Sequence, residues 1–324
     1  MKAQHGALLV ALTYFLSAAV IAGQETPAQA QKLGSGDHAL AVRVGDLERH
    51  YTVHIPPRYE NRRSIPVVMM FHGAGGTAKG AIRQTGWTAK ADEAGFLVVF
   101  PEATPPDPRK PARFRGNPQI WNDGSGRGHA GRRNIDDVGF VSALIDDLAS
   151  RFAVDPERIY VTGFSNGASM AFRLGAELSS RIAAIAPASG HLWLKEPRLE
   201  RPVPLIYIIG TEDPLNPLEG GEVSAPRGRA RSRKPPVRDS VLAWAKLDGC
   251  RLEPAVLYDK DEVKGIAYAP CNGGSEVLFY TIEGMGHTWP GGKSRLPEWM
   301  VGKTSDKIKA TDLIWEFFEK HPMK

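Results

Sequence analysis

The 324-residue sequence predicts an α/β fold with a mostly parallel central sheet flanked by helices. Three observations predict it. Short continuous apolar runs such as "PVVMMFHG" (66–73) and "FLVVFP" (96–101) end in turn residues, as strands buried on both faces of a parallel sheet do. Segments of helical composition alternate with these runs, which is the βαβ unit. No internal repeat and no long Ser-, Thr- or Gly-rich linker divides the chain, so residues 31–324 are expected to form one domain.

Residues 1–30 are expected to be removed. One Lys precedes an apolar run from Ala7 to Ala22, and small residues follow. That is the layout of a secretory signal peptide, with cleavage after Ala22 or after Ala30. The run is interrupted by Thr13, Tyr14 and Ser17 and falls short of a comfortable membrane span. A secreted protein, extracellular or periplasmic, with no membrane contact after cleavage is the expectation.

Next, "HALAVRVGDLERHYTVHIP" alternates apolar and polar residues on either side of Gly45-Asp46 and reads as a β-hairpin. Residues 78–95 have helical composition and end in Gly95, suited to a C-cap. "NIDDVGFVSALIDDLASRF" spaces Val138, Val141, Leu144, Ile145 and Leu148 as a helix does, and Asp136 and Asp137 suit its first turn. "RIYVTG" is a strand, "GASMAFRLGAEL" a helix, and "IAAIAPASG" and "PLIYIIG" are strands. "DSVLAWAKLDG" (helix), "EVLFYTI" (strand) and "IKATDLIWEFFEKH" (helix) complete the series. Residues 102–135 and 214–236 read as loops; the second begins directly after Asp213, a position from which it could cover the site.

Strand "RIYVTG" and the helix after it frame "GFSNG", with Ser165 between Gly163 and Gly167. A GxSxG turn in that context is a nucleophile elbow, with glycines where a Cβ would crowd the turn. A serine hydroxyl is a poor nucleophile at neutral pH and needs a base. His287 in "GMGHTWPGG" lies just beyond the last strand, and Asp213 in "GTEDPLNP" just beyond an earlier one. The chain order Ser165, Asp213, His287 is that of α/β-hydrolases. Glu212 is the rival acid and His191 the rival base, while His72 reads as structural. "FHGAGG" (71–76) follows an early strand, so the backbone N–H groups of Ala74 and Asn166 are the candidate oxyanion donors. Trp289, two residues past the base, either walls an aromatic acyl pocket or packs beside Pro290. No metal or phosphate-binding pattern occurs, and no cofactor is expected.

The only cysteines are Cys250 and Cys271. In an oxidising compartment a disulfide is the simpler expectation, two buried thiols the alternative. The formal charge is +5, and much of it collects in "RGRARSRKPPVR" (227–238). A solvated loop or a contact to an acidic polysaccharide explains that run better than nucleic acid, which is not an expected partner.

Taken together, "GFSNGASM", "FHGAGG", Trp121-Asn122, "DDVGF", "GTEDPLNP" and "GHTWPGG" resemble the polyhydroxybutyrate depolymerase-like esterases, related to feruloyl and acetylxylan esterases. The resemblance spans nearly the whole mature chain. It implies a secreted serine esterase of α/β-hydrolase fold, with Ser165, Asp213 and His287 matching the family's triad and Cys250 with Cys271 its cysteine pair. Trp121 joins Trp289 as a candidate pocket residue. The implied partner is an ester, polymeric in the case of plant polysaccharide or polyester. No linker or surface-binding domain follows the last helix, which favours feruloyl- or acetyl-type plant-wall esters or hydroxyalkanoate oligomers. An extracellular depolymerase acting on polymer is the alternative, as is a non-catalytic binding protein on the same scaffold.

Overall fold

The computed structural model describes residues 33–60, 63–224 and 231–323; the expected signal peptide and residues 227–230 of the basic run lie outside them. Strands β1 (Gly36–Val44) and β2 (Leu47–Ile55) form the expected hairpin, turning at Gly45 with φ 56°. β3 (Ile65–Phe71) leads through α1 (Ala78–Thr85) and α2 (Trp87–Ala94) to β4 (Leu97–Pro101). The segment 78–95 is therefore two helices. Gly86 sits between them at φ 75°, a left-handed conformation that a helix cannot continue through. Gly95 closes α2 as a left-handed C-cap, its N–H donating to Ala91 O at 2.8 Å.

After a long loop holding the single-turn α3 (Gly128–Arg132), α4 (Asp137–Arg151) precedes β5 (Val154–Phe164), α5 (Asn166–Glu177) and β6 (Ala184–Ala188). β7 (Leu205–Gly210), the hairpin β8 (Gly221–Ser224) and β9 (Arg231–Lys234), and α6 (Val237–Leu247) follow. A further hairpin, β10 (Ala255–Lys260) with β11 (Val263–Tyr268), comes before β12 (Val277–Ile282), α7 (Glu298–Val301) and α8 (Ala310–Lys320).

Ten strands form one sheet in the order β1-β2-β4-β3-β5-β6-β7-β12-β11-β10. Its middle, from β4 to β12, is parallel, and antiparallel pairs close both margins. Period-2 side-chain alternation divides the core between the two faces. Val67, Met69 and Phe71 of β3 and Leu205, Tyr207 and Ile209 of β7 pack with α4, α5 and α6. Val68, Met70, Ile206 and Ile208 face α1, α2 and α8 on the other side. Both faces are covered, which is why these strands read as unbroken apolar runs. Cys250 and Cys271 form a disulfide that ties the segment after α6 to the segment after β11.

Candidate active site

The parallel strands end at one edge, and the candidate residues gather there. Ser165 occupies the turn from β5 to α5 with φ 58° and ψ −118°, backbone angles that a non-glycine residue rarely adopts. The turn is held because the Ser165 N–H donates to Ala188 O of β6 at 2.9 Å and its carbonyl accepts from the Ser169 N–H at 3.0 Å. Its glycines are there for clearance. A Cβ on Gly163 would stand 2.3 Å from Gly167 O, and one on Gly167 would stand 2.1 Å from Phe71 O.

Asp213 and His287 come from the loops after β7 and β12, which are parallel neighbours. His287 Nδ1 lies 2.7 Å from Asp213 Oδ2, with both side chains buried. The other carboxylate oxygen of Asp213 accepts the N–H groups of Leu215 (2.9 Å) and Asn216 (2.8 Å), fixing the acid in place. The imidazole is steadied by the Phe164 ring at 4.6 Å and by its own backbone N–H donating to Val301 O of α7. An acidic partner on Nδ1 makes that nitrogen the donor and leaves Nε2 to act as a base. Glu212, the rival acid, is exposed. His191, the rival base, is fully buried, and burial pulls it down to about 3. It lines neither cavity at Ser165.

The loop after β3 brings Gly73 and Ala74 beside the elbow; a Cβ on Gly73 would stand 3.3 Å from that of Ser165. The side chain of Asn166 is committed to residues 121–123: its Oδ1 accepts the Trp121 N–H at 2.8 Å and its Nδ2 donates to Asp123 Oδ2 at 2.8 Å. Asn166, at the first turn of α5, and Ala74 both line the space next to Ser165. Trp121 is buried, donating its indole N–H to His72 O at 2.9 Å while its ring packs on Phe71 and His72. His72 is a strut: its Nδ1 donates to Gly73 O at 2.8 Å and its Nε2 accepts the Ala103 N–H. Burial draws it down to about 4, consistent with a neutral ring.

Behind His72 lies Glu102, whose Oε2 is buried, unpartnered and 3.5 Å from His72 Nε2. Burial pushes this carboxyl up to about 7 against opposing hydrogen bonds from Ala78 and Gln119. Below its ordinary 4.5 the group is protonated in the folded and the unfolded chain alike. Between 4.5 and about 7 only the unfolded chain releases the proton, so stability falls as pH rises, and the cost is complete above 7. Glu102→Gln is expected to remove this slope and to stabilise the protein at pH 8 by up to about 3 kcal/mol. Urea unfolding at pH 4.5 and pH 8 reads it, and equal slopes in both proteins would refute it.

Two cavities meet at Ser165 and Ala74. One, of about 280 Å³, is largely apolar; Phe164, Phe114, Leu215, Trp289 and Met300 line it together with His287. Trp289 both faces this cavity and is anchored, its indole N–H donating to Thr311 Oγ1 at 3.1 Å. The other, of about 250 Å³, is the more polar of the two, with Asp123, Ser125, Arg127, Asn216 and Lys234 in its lining beside Trp121. A larger depression of about 500 Å³ around Pro56, Tyr59 and Gly95 lies by the N-terminal ends of β3 and β4, away from Ser165.

Sequence reasoning missed Phe114, Asp123, Arg127 and Lys234. The first three sit in the stretch 102–135 and the last at the end of β9, both read only as loops, and nothing in their spacing indicates convergence. The basic run held a signal nonetheless, since Lys234 belongs to it.

Residues 58–231 match the family model described as phospholipase/carboxylesterase. The protein named "Putative esterase NocK" from Nocardia uniformis subsp. tsuyamanensis is 29% identical over 303 residues, 86% of this chain and 81% of that relative. Feruloyl esterase B of Piromyces equi is 29% identical over 76% of this chain, which spans 44% of that relative's length. Among solved structures, the acetyl xylan esterase from Aspergillus awamori superposes with a TM-score of 0.54 at 14% identity, covering 78% of this chain and 94% of its own. Native pOPH gives 0.53 at 14% identity, over 92% and 90%. These two likenesses concern the fold. With the family match covering more than half of the sequence, the chain belongs to the phospholipase/carboxylesterase family and is a carboxylic ester hydrolase of α/β-hydrolase fold.

Proposed function

We propose that the protein is a secreted serine esterase whose nucleophile is Ser165, with His287 as base and Asp213 as its orienting acid. The hydrogen bond from His287 Nδ1 to Asp213, on an imidazole that lines the same cavity as the elbow serine, is the observation that carries this reading. Ser165 Oγ attacks the ester carbonyl as His287 Nε2 takes its proton, and the N–H groups of Ala74 and Asn166 receive the oxyanion. His287 then protonates the departing alcohol. Water, activated by the same imidazole, attacks the acyl-enzyme and releases the acid.

The apolar cavity takes the acyl group. Phe164, Phe114 and Trp289 around it suit a flat aromatic acid of the hydroxycinnamoyl kind. That choice agrees with the name of the Piromyces equi relative, Feruloyl esterase B. Export after cleavage at Ala22 or Ala30, leaving a single catalytic domain, belongs to the same reading and rests on the apolar run 7–22.

A fluorophosphonate probe is expected to label one residue, Ser165, read as a mass shift on its tryptic peptide. Methyl ferulate is expected to be turned over faster than acetylated xylan, hydroxybutyrate oligomers or a peptide anilide. Labelling elsewhere would remove the nucleophile assignment, and a preference for the oligomers would remove the aromatic acyl assignment.

A further inference from the structure

The polar cavity beside Ser165 carries a charge pattern that ester hydrolysis does not require. Arg127 and Lys234, over a hundred residues apart in the chain, converge on the Trp193 indole: the guanidinium stands 4.1 Å and the ammonium 5.2 Å from its ring. Neither head group donates a hydrogen bond to any of the described residues. Asp123 is the carboxylate in the cavity wall, and its oxygens are already occupied. Oδ1 accepts from the Ser125 N–H and hydroxyl, and Oδ2 accepts from Asn166. Arg127 Nη2 comes no closer to it than 4.0 Å. Asp213, the next acid, is bound to His287 and the loop N–H groups. Two cations against one committed carboxylate leave the cavity with an uncompensated positive charge next to the reacting bond.

Uncompensated charge in a partly desolvated site is unfavourable until an anion arrives. Lys234 registers this: burial first, then Arg127, pull its ammonium down to about 8. His191, just behind, adds no charge because burial keeps it neutral. The two donors differ in kind. Arg127 rests its guanidinium carbon over the Trp193 ring and brings a fork of N–H donors suited to a planar anion, and Lys234 supplies a point charge.

We propose that this cavity is a carboxylate-binding subsite and that, among esters of one acid, those whose alcohol portion carries a free carboxylate, as a hydroxy acid or a uronic acid does, are preferred. The proposal rests on the serine esterase reading above, with the acyl group in the apolar cavity. Arg127 and Lys234 bind the carboxylate and so position the ester carbonyl over Ser165; they take no part in the bond-making steps.

The test compares 4-carboxyphenyl acetate with 4-carbamoylphenyl acetate, a neutral ester of the same shape. The quantity read is the ratio of their kcat/KM values, which cancels intrinsic leaving-group ability when variants are compared with the parent. Lys234→Gln and Arg127→Gln are each expected to lower that ratio about tenfold, and 0.5 M NaCl to lower it in the parent. An unchanged ratio in both variants overturns the subsite while leaving the esterase reading intact. Failure of the parent to hydrolyse either ester would count against the esterase reading. The subsite is then decided by calorimetric titration of the Ser165→Ala protein with 4-carboxyphenyl acetate: it should bind more tightly than its carbamoyl counterpart, and equal affinities overturn the proposal. A hydroxybutyrate dimer and a feruloylated galacturonate, each against its amide, identify which carboxylate source is preferred.

Discussion

Ser165→Ala is expected to fold as the parent does and to lose on the order of 10⁴- to 10⁶-fold of its turnover of p-nitrophenyl acetate. The loss is large because Ser165, His287 and Asp213 are proposed to act as one unit: without the hydroxyl there is no acyl-enzyme, and the Asp213–His287 pair has nothing to deprotonate. The fold survives because what holds the turn is backbone. The Ser165 N–H still reaches Ala188 O, its carbonyl still accepts from Ser169, and alanine is no larger than serine. Far-ultraviolet circular dichroism and the thermal midpoint should match the parent within a degree or two while the rate collapses. A variant that keeps a tenth of the activity would mean that Ser165 is not the nucleophile.

Gly167→Ala is expected to have the largest effect on folding, a loss of at least about 3 kcal/mol or failure to accumulate soluble protein. The added Cβ would stand 2.1 Å from Phe71 O and 2.6 Å from His72 O. Both are backbone atoms at the end of β3, and neither can rotate away. Relief requires α5 to retreat from β3, which would open the core around Met170 and Phe172 and pull the elbow from the Gly73-Ala74 loop. Gly80→Ala is the control: in α1 its Cβ would meet nothing closer than Thr77 Oγ1 at 3.4 Å. Helix propensity should make that change neutral or stabilising by about 1 kcal/mol. Urea midpoints of the two variants decide the matter, and equal stability would show that the close approach is not required.

Most of the fold was legible in the sequence because the sheet is buried on both faces, so "PVVMMF", "FLVVF" and "LIYII" carry their strand signal without help from neighbours. The break at Gly86 was not, because a glycine within a helical pattern is compatible with a continuous helix, and only the packing of Trp87 into the core shows the chain turning there. The β10–β11 hairpin was also missed. β10 lies exposed at the sheet edge, with Val256 and Leu257 more than half accessible, so it lacks the alternation that burial of one face imposes.

The sequence by itself determined the α/β-hydrolase order of elements, the GxSxG elbow and the choice of Ser165, Asp213 and His287 as candidates, because each depends on short-range patterning or on chain order. Tertiary structure decided which acid meets the base: Asp213 and His287, 74 residues apart, touch because β7 and β12 are neighbours, while Glu212 points to solvent. It also decided what surrounds the serine. Phe114 and Trp289 reach one cavity and Arg127 and Lys234 the other from loops remote in sequence. Loops that cross the end of a parallel sheet are brought together by strand order, and strand order is set by packing across the whole core rather than by any local run of residues.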